Sequence, residues 1–194
     1  MTTGKIIDIS NDDAIELFVQ SIQDKKIVIF PCETVYGICF DLLDEKCKER
    51  AYQIKGRPKE KIFSAAIPSV DYLDKVGIIP NNLEKKAMEW YWPGQLKIAF
   101  TSDFAVNQAE HKWLRDILWQ IDTIVATTSA NKSGRPAASK AKDLDPEIID
   151  NVDFVFVDDS KIYHSTTTTV VRLKGKIEIL RQGVVEVSED ILHQ

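Results

Sequence analysis

The feature that most restricts how this chain can fold is the stretch Ile27-Val28-Ile29-Phe30-Pro31-Cys32-Glu33-Thr34-Val35-Tyr36-Gly37-Ile38. Its first four residues are apolar without alternation, the pattern of a strand covered on both faces. Pro31 has no amide hydrogen to donate, so sheet pairing is expected to end there. Glu33, Thr34 and Tyr36 follow, and Gly37 allows a tight turn or a close ligand approach. The stretch thus delivers a carboxylate, a hydroxyl and a phenol to the C-terminal edge of a strand. Ligands of open α/β sheets sit at that edge. An ordinary strand-to-loop exit with solvated polar residues would carry the same letters.

Around this strand the chain alternates elements. Ile6 to Ile9 read as a short strand, and Ser10 or Asn11 as the cap of a helix with Asp13 in its first turn. Ala14, Ile15, Phe18, Val19 and Ile22 recur at helical spacing. Asp44 caps a second helix that stops at Ile54-Lys55-Gly56-Arg57-Pro58. Ile62 to Ile67 read as a strand, Ser69 to Lys75 as a short helix, and Asn81 or Asn82 opens a helix reaching Tyr91. Gln95 to Phe100 give a strand of alternating character, while Thr101 to Ala109 fit no clear pattern. Leu114, Ile117 and Leu118 mark a helix over His111 to Gln120. Ile124 to Ala126 form a strand running into a polar loop, Thr127 to Gly134. Short helices over Lys140 to Asp150, a strand at Phe154 to Val157, and a hairpin joined at Lys174-Gly175 complete the chain. The expected architecture is one α/β domain over 1–194, a twisted mixed parallel and antiparallel open sheet flanked by helices.

Composition narrows the function classes. With a net charge of −5, the chain as a whole is not an electrostatic nucleic-acid binder. No apolar run approaches the ~20 residues of a membrane span, and the Met1 to Lys5 start lacks secretory character, so a cytoplasmic location without membrane partners is expected. Cys32, Cys39 and Cys47 follow no zinc spacing. Cys39 and Cys47 read as core fillers, and Cys32 has no histidine near it in sequence to activate a thiol. Trp90, Trp92, Trp113 and Trp119 read as core or groove wall, His111 as a helix-start residue, and His164 and His193 as surface residues.

Three segments share one design, in which an apolar element ends in small polar residues. They are the Glu33-Thr34 turn, the Thr127 to Asn131 loop and the Ser165 to Thr169 run. Hydroxyls and exposed amides of such loops cradle phosphates or carboxylates. Lys55, Arg57 and Arg181 add cations at element ends, so an anion-rich ligand such as a nucleoside triphosphate is the natural match. The plainer alternatives are that Lys55 and Arg57 neutralise a helix C-terminus and that Thr166 to Thr169 reflect β propensity.

Five stretches in order resemble the YrdC-like threonylcarbamoyl-AMP synthases in their short bacterial form. They are Phe30-Pro31-Cys32-Glu33-Thr34-Val35-Tyr36-Gly37, Ile54-Lys55-Gly56-Arg57-Pro58, Trp92-Pro93-Gly94-Gln95-Leu96, Ala126 to Gly134, and Ile179-Leu180-Arg181-Gln182-Gly183. The resemblance implies a YrdC-like fold and a reaction in which L-threonine and bicarbonate give an N-carboxy threonine. Its carboxylate attacks the α-phosphate of ATP, and pyrophosphate leaves. The threonylcarbamoyl-adenylate formed then serves tRNA modification at adenosine 37. By the same resemblance Thr34 and Ser129 would hold threonine, with Thr168 where the family has a serine or threonine. Lys55, Arg57 and Arg181 would hold the phosphates, with Lys55 and Arg57 as the catalytic pair. Asn131 and Ser133 would shape the nucleotide side, with Thr127 or Thr128 nearby. Magnesium would arrive on ATP, and tRNA and downstream threonylcarbamoyl-transfer proteins would be partners. No protein nucleophile is needed, because alignment and charge neutralisation do the work.

The sequence also departs from the family's pattern. Lys61-Ile62-Phe63 replace an expected Asn-Pro-Leu, and Asn107 stands where an arginine is expected. The stretch after Phe100 is short. Two other readings therefore stay open, an RNA-binding module of the same fold and a degenerate nucleotide binder without turnover.

Overall fold

A computed structural model describes residues 5–164 and 166–192; Ser165, His193, Gln194 and the first four residues lie outside them. Its organising element is a mixed sheet of ten strands. The strands are β1 (Lys5–Asp8), β2 (Val28–Pro31), β3 (Tyr36–Asp41), β4 (Phe63–Ile67), β5 (Leu96–Ile98), β6 (Phe104–Gln108), β7 (Val125–Ser129), β8 (Phe154–Val157), β9 (Thr169–Leu173) and β10 (Ile177–Arg181). Their order across the sheet is β1-β8-β2-β3-β7-β4-β6-β5-β9-β10. The pairs β1–β8, β2–β8, β4–β6 and β5–β9 are parallel, and the remaining five are antiparallel.

The helices are α1 (Ala14–Gln23), α2 (Glu45–Lys55), α3 (Asn82–Tyr91), α4 (Lys112–Leu118) and α5 (Pro146–Ile149). They cover both faces. Phe18 and Ile22 of α1 and Leu114 and Leu118 of α4 pack with Val28 and Phe30 of β2 on one side. Ala51 and Ile54 of α2, Ala87 of α3 and Ile148 of α5 pack with Ile27 and Ile29 on the other. That division is why the apolar run has no polar face: Val28, Ile29 and Phe30 are fully buried by opposite layers.

Local chemistry fixes the helix ends. The Asp44 carboxylate accepts from the Cys47 amide at 2.8 Å, and Gly56 closes α2 in a left-handed conformation at φ 55°. Asn81 and Glu84 form a reciprocal capping box at α3. At α1 the expected caps are displaced. Asp13 occupies the cap position without a side-chain bond, and Ser10 and Asn11 lie in the preceding turn, where the Ser10 amide donates to Asp8 at 2.8 Å.

Two expectations about the central stretch are corrected. Pro31 does not end the pairing; it lies in β2 opposite Tyr36, because the chain reverses at once into β3. Gly37 is inside β3, and the tight corner is taken instead by Glu33, at φ 69°. Gly37 does serve a close approach, since a Cβ there would lie 2.6 Å from the Cys32 sulfur. Thr127, Thr128 and Ser129 belong to β7 rather than to a loop, held by pairing with β3. The unassigned 101–109 region supplies β6. Trp90 and Trp119 are exposed, at 43% and 53%, rather than core, while Trp92 is buried as expected. Among the described residues no helix is long and apolar enough to cross a membrane.

Candidate functional site

Two adjoining hollows gather the polar residues, and both exist because strand side chains alternate between faces. The inner pocket opens on the face covered by α1 and α4. Ser64 and Ala66 of β4, Thr127 and Ser129 of β7, Lys97 of β5 and Asn107 of β6 line it, with Leu114 of α4 as an apolar wall. The corner after β2 adds Glu33 and Thr34, and Gln95, Thr167, Thr168 and Arg181 close the far side. The outer hollow is lined by Lys55, Arg57, Thr128, Ser129, Asn131, Ser133 and Arg181. Its volume is about 510 Å³ against about 30 Å³ for the inner pocket, so the outer one suits a nucleotide and the inner one a group of carboxyl size. Ser64, Ser129 and Arg181 belong to both.

The three cations do converge on the outer hollow. Lys55 is buried and donates from Nζ to the carbonyls of Ser129 and, at 3.0 Å, Asn131. The Ser133 amide returns a bond to the Lys55 carbonyl at 2.8 Å. Lys55 therefore ties the end of α2 to the loop after β7 and does not neutralise its own helix terminus. Burial, with the nearby Arg57 and Arg181 charges, pulls its ammonium down to about 7. Arg57 donates to Thr128 Oγ1 at 3.2 Å and to the Ile62 carbonyl, and burial lowers its pKa. Arg181 donates to the Thr168 carbonyl at 3.0 Å and to Thr168 Oγ1 at 2.8 Å. Burial, then the Arg57 charge, lowers its pKa as well. Three partly desolvated cations, with no carboxylate bonded to any of them among the described residues, make a site that gains from an incoming polyanion.

The Glu33 corner is held from several directions. Its carboxylate accepts from the backbone amides of His111 at 2.6 Å and Glu110 at 3.3 Å. Its carbonyl accepts from the Tyr163 and His164 amides at 2.6 and 3.1 Å. Burial raises the carboxyl's pKa, and the two amide donors oppose that rise. Thr34 is presented beside this anchor, with its amide on the Cys32 carbonyl at 2.8 Å. His111 stands at the start of α4, as expected, with its ring stacked on Tyr163 at 3.8 Å. His164, read as a surface residue, is half-buried beside Glu110.

Four buried polar side-chain atoms lack a partner among the described residues: Arg57 Nε, Asn107 Oδ1, Asn131 Oδ1 and Trp113 Nε1. Three of the four line one or other hollow. Buried polar atoms are nearly always paired, so this clustering marks where a ligand's donors and acceptors fit. No group of three His, Cys, Asp or Glu side chains gathers at one point among the described residues, and the outer hollow offers cations, hydroxyls and a single carboxylate, Glu60. A magnesium ion there would be held through phosphate oxygens and water.

Each residue given a binding role from sequence lines one hollow or the other: Thr34, Thr127 and Thr168 the inner, Lys55, Arg57, Thr128, Asn131 and Ser133 the outer, Ser129 and Arg181 both. Tyr36 and Thr169 line neither; both are fully buried, and the Tyr36 hydroxyl donates to Asp159 at 2.9 Å. Sequence reasoning missed Lys97 and Gln95. A lysine between Leu96 and Ile98, in a strand whose neighbours are apolar, was the available signal.

The model of the Sua5/YciO/YrdC family, described as telomere recombination, matches residues 20–183. A Methanocaldococcus jannaschii protein provisionally named threonylcarbamoyl-AMP synthase is 27% identical over 95% of this chain and 94% of its own length. The Pyrococcus abyssi threonylcarbamoyl-AMP synthase is 26% identical over 87% of this chain, which spans only 53% of that protein. The chain spans 47% of the Bacillus subtilis synthase. Among solved structures, P. abyssi Sua5 complexed with L-threonine gives a TM-score of 0.74 at 22% identity, covering 92% of this chain and 57% of its own. E. coli YciO gives 0.76 at 15% identity, covering 96% and 98%. These two likenesses are of fold.

Proposed function

Because the chain belongs to the Sua5/YciO/YrdC family, we propose that its paired hollows form L-threonylcarbamoyladenylate from L-threonine, bicarbonate and ATP, releasing pyrophosphate. The reading is supported by the name that the relatives carry and by the threonine in the P. abyssi complex. The observation that carries it is the convergence of Lys55, Arg57 and Arg181 on a hollow that shares a wall with a small polar pocket.

In this reading ATP takes the outer hollow, with Asn131 and Ser133 along the nucleotide and Thr127 or Thr128 near it. Magnesium travels with ATP. Thr34, Ser129 and Thr168 hold threonine at the inner pocket, with only its carboxyl end inside. Its N-carboxylate attacks the α-phosphate across the shared wall, where Lys55 and Arg57 offset the growing charge and Arg181 bridges both substrates. The chain's work is alignment and electrostatic stabilisation, since the substrate supplies the nucleophile. The product goes to tRNA adenosine 37 through downstream transfer proteins, in the cytosol.

The test is pyrophosphate release from ATP by the purified chain. Release is expected only with threonine and bicarbonate together. Absence of release from folded protein that binds both substrates would favour a nucleotide binder without turnover, the reading that Asn107 at an expected arginine position supports. A third reading, an RNA-binding module, predicts tRNA affinity that falls steeply with salt. The net charge of −5 speaks against it.

A further inference from the structure

The inner pocket holds a cation that the reading above does not use. Lys97 is 4% exposed and lines the pocket beside Asn107. In the antiparallel β5–β6 pair Ile98 faces Val106, so one step further along, Lys97 stands opposite Asn107. Lys97 Nζ donates to the Ala65 carbonyl and, at 3.1 Å, to Thr127 Oγ1. Both partners are neutral. The Glu33 carboxylate, which acts on Lys97 at longer range, is already engaged by the Glu110 and His111 amides.

An ammonium kept in a dry pocket without a bonded anion is costly, and chains retain one where an anion arrives. Asn107 adds the complementary half. Its Nδ2 donates to the Gly94 and Gln108 carbonyls at 2.7 and 3.2 Å, which fixes the amide's orientation and leaves Oδ1 as an unmatched buried acceptor. One cation and one acceptor on facing strand positions suit a molecule with a carboxylate next to an amine.

We propose that Lys97 binds the α-carboxylate of the amino-acid substrate, while Asn107 Oδ1 accepts a hydrogen bond from its amine. This inference rests on the function proposed above. It also orients the substrate, because the carboxylate enters the narrow pocket and the nitrogen faces Arg181 and the outer hollow, where the N-carboxy group must meet ATP.

The electrostatics agree with the geometry. Burial first, with the Arg181 charge, pulls the Lys97 ammonium down to about 7, while Cys32, Glu33 and Cys39 act in the opposite sense. A bound carboxylate raises it again, so binding above neutral pH takes up a proton, and affinity falls as pH rises.

The experiment compares L-threonine with L-threoninamide, which lacks the carboxylate charge, by calorimetry on the full chain at about pH 6 and about pH 8. Wild-type protein is expected to prefer threonine by roughly tenfold or more, with a smaller preference at the higher pH. Lys97→Met should abolish the preference and raise the KM for threonine about tenfold while leaving the KM for ATP unchanged. An undiminished preference in Lys97→Met overturns the proposal. If that variant does not fold, a wild-type preference that is the same at both pH values overturns it. The binding readout needs no turnover. A chain that shows the preference but releases no pyrophosphate sinks the synthase reading and leaves Lys97 assigned, whereas an active chain without the preference does the reverse.

Discussion

The outer and inner hollows share a wall but are built on different principles. The outer one is cationic, with Lys55, Arg57 and Arg181 tethered to main-chain carbonyls or threonine oxygens and bonded to no carboxylate among the described residues. The inner one mixes signs, with Lys97, the Glu33 carboxylate and the shared Arg181 among hydroxyls and amides. A surplus of positive charge suits a polyphosphate, while a small pocket of mixed sign suits the carboxyl end of a small zwitterion. The difference teaches that charge, more than volume alone, sets the two hollows apart. Arg181 is the one cation that lines both.

Substitutions can separate the two regions. Lys55→Ala should have the largest effect, weakening ATP by about 3 kcal/mol, because it removes a charged donor and strands the Ser129 and Asn131 carbonyls. Threonine affinity should change much less, and calorimetry with each ligand separately reads the split. An unchanged ATP affinity would sink the outer assignment. Arg181→Ala should weaken both ligands, each by about 2 kcal/mol, and a loss confined to one of them would show that the shared wall is not shared in use.

Thr34→Val, which keeps the side chain's shape, should cost threonine about 1 kcal/mol and spare ATP. An ATP effect of equal size would merge the two regions. The smallest expected effect is that of pH. Burial and the Arg57 and Arg181 charges pull the Lys55 ammonium down to about 7, and a bound phosphate should raise it again. Below about pH 7 the ammonium is present in both states. Above it, binding must take up a proton, so ATP affinity should decline a few-fold between about pH 7 and about pH 8. Lys55→Arg, charged throughout, should flatten the curve. A profile as steep in that variant as in wild type would assign the titration to another group.

Much of this arrangement was readable from residues. The two-sided burial of β2 follows from an unbroken apolar run, and the close of α2 follows from Gly56 and Pro58. The convergence of Lys55, Arg57 and Arg181 was an expectation from their positions at element ends. The β2–β3 hairpin was hidden, because Pro31 pairs where a proline commonly stops pairing and Glu33 takes a backbone conformation usually left to glycine. Thr127 to Ser129 look like a loop by composition, yet tertiary pairing with β3 makes them a strand. Lys97 escaped notice for a related reason. A lone lysine in a strand is ordinarily an outward-facing residue, and only the packing of β5 against β9 and β6 turns it inward. Trp90 and Trp119 erred in the other direction, apolar by type but left at the surface.

The Glu33 corner has one more implication. A single residue accepts four amide hydrogens from two distant segments, Glu110–His111 and Tyr163–His164. Thr34 is therefore set in place by the fold and does not wait for a guest to shape it. Solvent deuterium should enter the amides of His111 and Tyr163 only when this junction comes apart, at nearly the same pace whether or not threonine is present.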